Sequence, residues 1–209
     1  MRVFYLFILL SLLSTQISAQ DFGFSVTRGA CFIQPQTAGL LKSRNHAVSY
    51  GFFGLKRIRS GTHLNVGTYM DILWSNKWVQ NASNDWIAIP KKYNYLNVPI
   101  SFEQRLLAVS RQGYKPVSYY LQCGITASYL FHEQGWRPGL SDAQEINPFN
   151  LGANLAILYH LKLDTHHIFS FGPEVKMFNT REEVVKKCYL AGLKFEYRYN
   201  SSDNYSRKI

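Results

Sequence analysis

Val117-Ser118-Tyr119-Tyr120-Leu121-Gln122-Cys123-Gly124-Ile125-Thr126-Ala127-Ser128-Tyr129-Leu130 is the stretch that decides the reading of this chain. Val117, Tyr119, Leu121, Cys123, Ile125, Ala127 and Tyr129 occupy one phase of a period of two, and Ser118, Tyr120, Gln122, Gly124, Thr126 and Ser128 the other. Successive side chains of a strand point to opposite faces, so this is a β-strand with one apolar and one polar face. The polar face carries no charge at all. A strand that faces water in a soluble protein usually carries Lys and Glu there. Ser, Gln, Gly and Thr suit a crowded interior of small groups and hydrogen bonds, with the apolar phase turned outward.

The alternation recurs on both sides of this stretch. Tyr189, Ala191, Leu193, Phe195, Tyr197 and Tyr199 oppose Leu190, Gly192, Lys194, Glu196 and Arg198. Leu64, Val66, Thr68, Met70, Ile72 and Trp74 oppose His63, Asn65, Gly67, Tyr69 and Asp71. With the looser segments, eight strands are expected over residues 22–33, 46–58, 63–75, 94–106, 117–130, 149–161, 167–178 and 188–199. Most reach the roughly 9–11 residues that a tilted strand needs to cross a bilayer. The joints alternate in length: the first, third, fifth and seventh hold 12, 18, 18 and 9 residues, the second, fourth and sixth 4, 10 and 5. Short turns at one end and long loops at the other mark an up-and-down barrel. The expected fold class is all-β: an eight-stranded antiparallel up-and-down transmembrane β-barrel over residues 21–199, followed by a polar C-terminal tail over 200–209.

Charge and aromatic placement agree with that fold. The chain is 46% hydrophobic and 15% aromatic but only 17% charged, against about 25% in an ordinary soluble domain. On the polar phases, Asp71, Glu103, Glu174 and Glu196 stand against Arg105, Lys176, Lys194 and Arg198. A closed interior needs such a balance, because an unpaired buried charge costs several kcal/mol. Lys56 and Arg57 lie at a strand end, within reach of water. Eight strands leave a bore that side chains fill, so no open channel is expected. Phe22, Phe24, Tyr197 and Tyr199 gather at one end of the barrel and Trp74 at the other, as interfacial aromatics do. Arg28 falls on the apolar phase of the first strand, which a bulge or a register shift there would explain.

The first twenty residues set the compartment. Met1-Arg2 is a basic start, Val3 to Leu13 an apolar run broken only by Ser11, and Ser14 to Gln20 is mostly small and polar. That order is a secretory signal peptide over residues 1–20, and the run is too short for a spanning helix of about 20 residues. Export removes nucleic acid as the partner for the formal charge of +10. Cys31, Cys123 and Cys188 make an odd count. Matching Phe22 to Tyr199 across the seam of the barrel gives partner numbers that sum to 221, and Cys31 and Cys188 sum to 219 on the interior phase. A Cys31–Cys188 disulfide is one reading; three separate small apolar side chains is the other. His166 and His167 share a short turn, His63 and His160 lie near strand ends at the short-turn side, and His46 and His132 lie at the long-loop side. No H-E-x-x-H or G-x-S-x-G occurs, and no catalytic, cofactor or metal residue is assigned. Lys91, Lys92, Lys186 and Lys187 sit where long loops re-enter strands and are candidate contacts for lipopolysaccharide phosphates.

Tyr95-Leu96-Asn97-Val98-Pro99-Ile100 is a strand opening of the type Y-L-x-V-P-hydrophobic, and Phe171-Gly172-Pro173-Glu174-Val175-Lys176 follows three strands later. Proline is unusual in strands because it removes a ladder donor, so these two placements are informative. On them, and on the signal ending Ser-Ala-Gln, the chain resembles the outer-membrane β-barrel proteins of Bacteroidota, in particular the PorT-like group. That resemblance implies a place in the bacterial outer membrane and an association with type IX secretion. The sequence reading is therefore a non-enzymatic outer-membrane barrel with both termini in the periplasm and with a structural, adhesive or secretion-associated role. Its partners would be outer-membrane lipid, lipopolysaccharide and envelope or secretion-system proteins. A soluble periplasmic or secreted lipid-binding barrel is the alternative, and an outer-membrane lipid-modifying enzyme the third reading.

Overall fold

A computed structural model describes residues 21–35, 46–80, 86–109, 117–135, 149–178 and 185–201. They form β1 (Asp21–Pro35), β2 (His46–Arg59), β3 (Thr62–Gln80), β4 (Trp86–Val109), β5 (Val117–Gly135), β6 (Phe149–Lys162), β7 (His167–Phe178) and β8 (Val185–Asn200). Every strand pairs antiparallel with the next, and β8 pairs back onto β1, so the sheet is a closed up-and-down barrel. This is the fold class read from the alternation. The signal segment over 1–20 and the tail beyond Ser201 lie outside the described residues.

Burial follows the two phases, with the polar phase inside. On β5, Tyr120, Gln122, Thr126 and Ser128 are buried while Tyr119, Cys123, Ile125 and Ala127 are exposed. On β8, Lys194, Glu196 and Arg198 are buried while Leu193, Phe195 and Tyr197 are exposed. Phe52, Leu151 and Ile125 are 72%, 71% and 64% exposed, whereas Asp71, Glu103 and Glu196 are 0% exposed. Phe102, Cys123, Leu155 and Val175 stand side by side on four successive strands, so the outer apolar surface is a continuous belt. A barrel in water would forgo about 1.5–3 kcal/mol for each large apolar side chain left unburied in this way.

Three expectations need correction. β3 and β4 stay paired from Trp74–Lys92 up to Gln80–Trp86, where an 18-residue loop was expected from the sequence. The lysines and Pro90 disguise this strand, but Trp86-Ile87-Ala88-Ile89 has the aromatic and β-branched content that holds a ladder. Pro90 lies beyond the last β4–β5 pair, Lys91–Gly135, where β4 has a partner on one side only among the described residues. At about 3.4 Å per residue, the 24 residues of β4 run roughly 80 Å, far more than an apolar band about 25 Å tall requires. The β3–β4 hairpin therefore projects beyond the barrel at the end opposite the termini.

The second correction is Arg28. Its ladder continues unbroken to Val48 on one side and Leu193 on the other, so neither a bulge nor a register shift is present. Arg28 is exposed on the outer face, two residues before Ala30, which pairs with the first residue of β2, His46. A long cationic side chain so close to the rim carries its head to water while its stem covers apolar surface.

The third is Arg105, which is exposed rather than interior. The β4–β5 register slips between Arg105 and Leu107, and the Arg105 N–H donates to the Gly61 carbonyl at 2.7 Å. That bond ties Arg105 to the β2–β3 turn, where Gly61 has φ of 76°, a conformation that favours glycine. The charge therefore lies at the mouth and not in the bore.

At the seam, Phe22 faces Tyr199, Cys31 faces Leu190 and Cys188 faces Ile33. Cys31 and Cys188 are thus diagonal rather than directly opposed. Diagonal neighbours stand about 7–8 Å apart, so a bridge requires the local sheet to close toward the disulfide span of about 4.4–6.8 Å between Cα atoms. The Cys188 side chain lies outside the described ones. Thiol counting on denatured, unreduced protein reads the result: one free thiol establishes the bridge and three remove it.

Candidate functional site

Among the described residues, buried charge gathers in the bore. Arg198 on β8 is its centre. Nη1 and Nη2 donate to Glu103 Oε1 and Oε2 at 2.7 and 2.5 Å, a bidentate pair across to β4. Nε and Nη2 also donate to Glu196 Oε2 at 3.1 and 2.5 Å. Lys194 Nζ lies 2.9 Å from Glu196 Oε1 and 3.3 Å from Glu174 Oε1, and donates to Gln122 Oε1 at 2.7 Å. Lys176 Nζ lies 3.9 Å from Glu174 Oε2 and 3.2 Å from Asp71 Oδ1, and donates to Ser49 Oγ at 2.7 Å. Acid and base thus alternate in one continuous file from Glu103 to Asp71. Thr27 adds a hydroxyl donor to Glu174 at 2.6 Å.

Tyr69 lies beside this file, its ring 5.3 Å from Lys176 Nζ and 5.8 Å from Lys194 Nζ, in cation–π range. Gly51 and Gly67 make room for it, since a Cβ on either would collide with the Tyr69 side chain. Beside it lies a polar cavity of about 10 Å³ among Asn65, Asn97, Gln122, Asn154 and Lys194, room for about one water. The interior is filled by side chains, as an eight-stranded bore permits. Purified protein in planar bilayers is accordingly expected to give no stable single-channel conductance; steady channel steps would show that the charged file moves aside.

Of the interior charges read from sequence, Asp71, Glu103, Glu174, Lys176, Lys194, Glu196 and Arg198 come together here, and Arg105 does not. Two buried histidines join them that sequence reasoning left at the strand ends. His63 pairs with Glu103 across β3 and β4 and brings Nδ1 to 3.6 Å from Glu103 Oε1. His160 on β6 stacks on Tyr120 at 4.0 Å and 17°. The signal was available: His63 shares the phase of Asn65, Gly67, Tyr69 and Asp71.

The remaining assigned residues lie on the rims and outer face. Phe22 packs on Tyr199 at 5.3 Å between ring centres, and Phe24 is opposite Tyr197. Trp74 marks the other end, with Lys92 Nζ 5.7 Å above its ring. The side chains of Lys91, Lys186 and Lys187 are outside the described ones. Asp164 closes the β6–β7 turn by accepting the N–H groups of His166 and His167 at 2.8 Å each. These donors, His166 first, hold its carboxyl below the usual carboxylate range. His167 Nδ1 reaches the Tyr197 hydroxyl at 2.5 Å and His166 Nδ1 the Asn200 carbonyl at 3.0 Å, so the histidine pair is built into the aromatic rim.

No protein-family model and no curated protein matches the chain. Solved structures that it resembles are eight-tenths covered or more. The outer membrane protein OprG from Pseudomonas aeruginosa is 11% identical, with a TM-score of 0.46 over 85% of this chain and 96% of that one. Neisserial surface protein A is 14% identical, with a TM-score of 0.47 over 86% and 96%. Ail, the attachment invasion locus protein of Yersinia pestis, is 10% identical, with a TM-score of 0.37 over 86% and 99%. The fold itself rests on the chain's own closed ladder of eight strands.

Proposed function

We propose that this protein is a non-enzymatic barrel of the bacterial outer membrane, anchored by its apolar belt and acting through what projects at the long-loop end. The observation that carries the reading is the inversion of phases: large apolar side chains outside and an ion-paired file inside. A lipid-binding barrel in water would need the opposite arrangement, with an apolar cavity of a few hundred Å³, whereas the middle of this bore holds Asp71, Glu174, Lys176, Lys194 and Glu196, with a cavity of about 10 Å³ beside them. Membrane fractionation tests this: the protein should stay with membranes through a high-salt wash and leave only with detergent. Recovery in the soluble fraction would end the reading.

The β3–β4 hairpin beyond the barrel is the surface offered to an outside partner, which fits an adhesive or secretion-associated role. Association with type IX secretion is supported by the resemblance of Tyr95–Ile100 and Phe171–Lys176 to the PorT-like group. A deletion strain that still exports its type IX cargo would remove that role and leave the adhesive one. Lipid and lipopolysaccharide are the immediate neighbours, with Lys92 beside Trp74 at the outer rim placed to meet their phosphates.

A further inference from the structure

With Arg105 outside the bore, the interior no longer balances. Among the described residues the buried carboxylates are Asp21, Asp71, Glu103, Glu174 and Glu196, and the buried cations are Lys176, Lys194 and Arg198. Asp21 is the first residue of β1, at the mouth, within the influence of His63, Arg198 and Arg57. Even with Asp21 set aside, four carboxylates meet three cations. An uncompensated buried charge costs several kcal/mol, so the fold is short of positive charge, and the alternating file ends on a carboxylate at both ends, Asp71 and Glu103.

At the Glu103 end, Glu103, His160 and Glu196 each offer one ligand atom, and the three atoms lie within 4.8 Å of one another. His160 is 6% and His63 5% exposed, and His160 Nε2 and His63 Nδ1 are buried with no hydrogen-bond partner. Glu196 Oε1, though 2.9 Å from the Lys194 ammonium, also receives no aligned hydrogen bond. A carboxylate has about four lone-pair sites, so the two bonds from Arg198 to Glu103 leave the remainder free to ligate. Tyr120 fixes the plane of the His160 ring by stacking on it.

We propose that Glu103, His160 and Glu196 form a binding site for a divalent first-row transition metal, with His63 as the adjacent imidazole, at the periplasmic end of the bore. Two carboxylates with imidazole nitrogen are a donor set that suits zinc and its neighbours, and not calcium or magnesium, which take oxygen alone. The metal supplies the positive charge that the strands lack and gives partners to ring nitrogens that otherwise carry the full cost of burial. It closes the acid–base file at the end where Arg198 meets both glutamates. The role proposed is structural, since Glu103, His160 and Glu196 are all buried inside the bore. This inference needs only the closed barrel and stands whether or not the projecting hairpin is adhesive.

The test uses the untagged full chain, folded in detergent micelles and stripped with a chelator. Titration with Zn2+ should show one site by calorimetry and raise the Tm of the barrel, and Co2+ in its place should give visible ligand-field bands. His160→Gln should weaken Zn2+ binding at least about tenfold and abolish those bands, since one donor is lost from a small ligand set. His166→Gln with His167→Gln, at the exposed turn, should leave both unchanged. His63→Gln is the second probe should His160→Gln fail to fold, as judged by heat-modifiable gel mobility. Absence of binding and of a Tm shift in the wild type would overturn the proposal. So would wild-type affinity in a folded His160→Gln barrel, or loss of the signal only in the turn variant.

Discussion

Arg198→Met is expected to destabilise the barrel by about 3–5 kcal/mol, the penalty for removing one partner from a buried ion pair. The size follows from what is left behind. Glu103 and Glu196 are 0% exposed and receive four hydrogen bonds from this one guanidinium. Both carboxylates are sealed from bulk water, so solvent does not take its place without opening the barrel. Urea unfolding of the purified protein in lipid vesicles measures the loss as a fall in midpoint at constant slope. Replacing Glu103, Glu196 and Arg198 together by apolar residues of similar volume should recover most of it, because the desolvation cost goes with the charges. If the single variant cost less than about 1 kcal/mol, the range of an exposed pair, the file would not be the buried network described.

Leu155→Arg should cost about 2–4 kcal/mol in vesicles, the figure for a cation on the lipid face near the bilayer midplane. Leu155 stands midway along β6, half exposed, between Cys123 and Val175 in the apolar belt. Ile58→Arg is the internal control. Ile58 is equally exposed but lies at the β2–β3 turn, where the cost falls to about 0–1 kcal/mol. A soluble barrel would tolerate both within about 0.5 kcal/mol, so equal and small effects would sink the membrane reading on energetic grounds alone.

How much of this could be read in the sequence depends on which physical signal a residue carries. Val117–Leu130 showed its strand and its inside face because alternation is a direct image of the pleat. The match of Phe22 with Tyr199 implied the seam register that the ladder adopts. The β3–β4 extension was hidden because Lys77, Lys91, Lys92 and Pro90 carry a loop's composition, while ladder bonds depend on backbone. Arg105 keeps the phase of Glu103, paired with the buried Tyr120, but sits beside the β2–β3 turn, and phase does not say how near the mouth a residue lies. Arg28 looked anomalous because phase says which face a residue occupies but not how near it lies to water. His63 and His160 were passed over for their position near strand ends, although their phase pointed them inward. The file of ion pairs had its members legible and its pairing not, since Glu103 and Arg198 are 95 residues apart.

Among the described residues, all three buried cations lie on the last two strands, Lys176 on β7 and Lys194 and Arg198 on β8. Glu174 and Glu196 share those strands, but the other two partners lie earlier, Asp71 on β3 and Glu103 on β4. A chain assembled only through β6 therefore presents a polar face with acid and nothing to answer it. Such a sheet has no reason to curl shut, and its wet side stays wet. The answering cations arrive with the C-terminal strands, in the same event that lays β8 against β1 and removes the last open edge. The placement of charge along the chain thus ties closure of the bore to its last two strands: a chain ending at β6 is expected to stay open and in water.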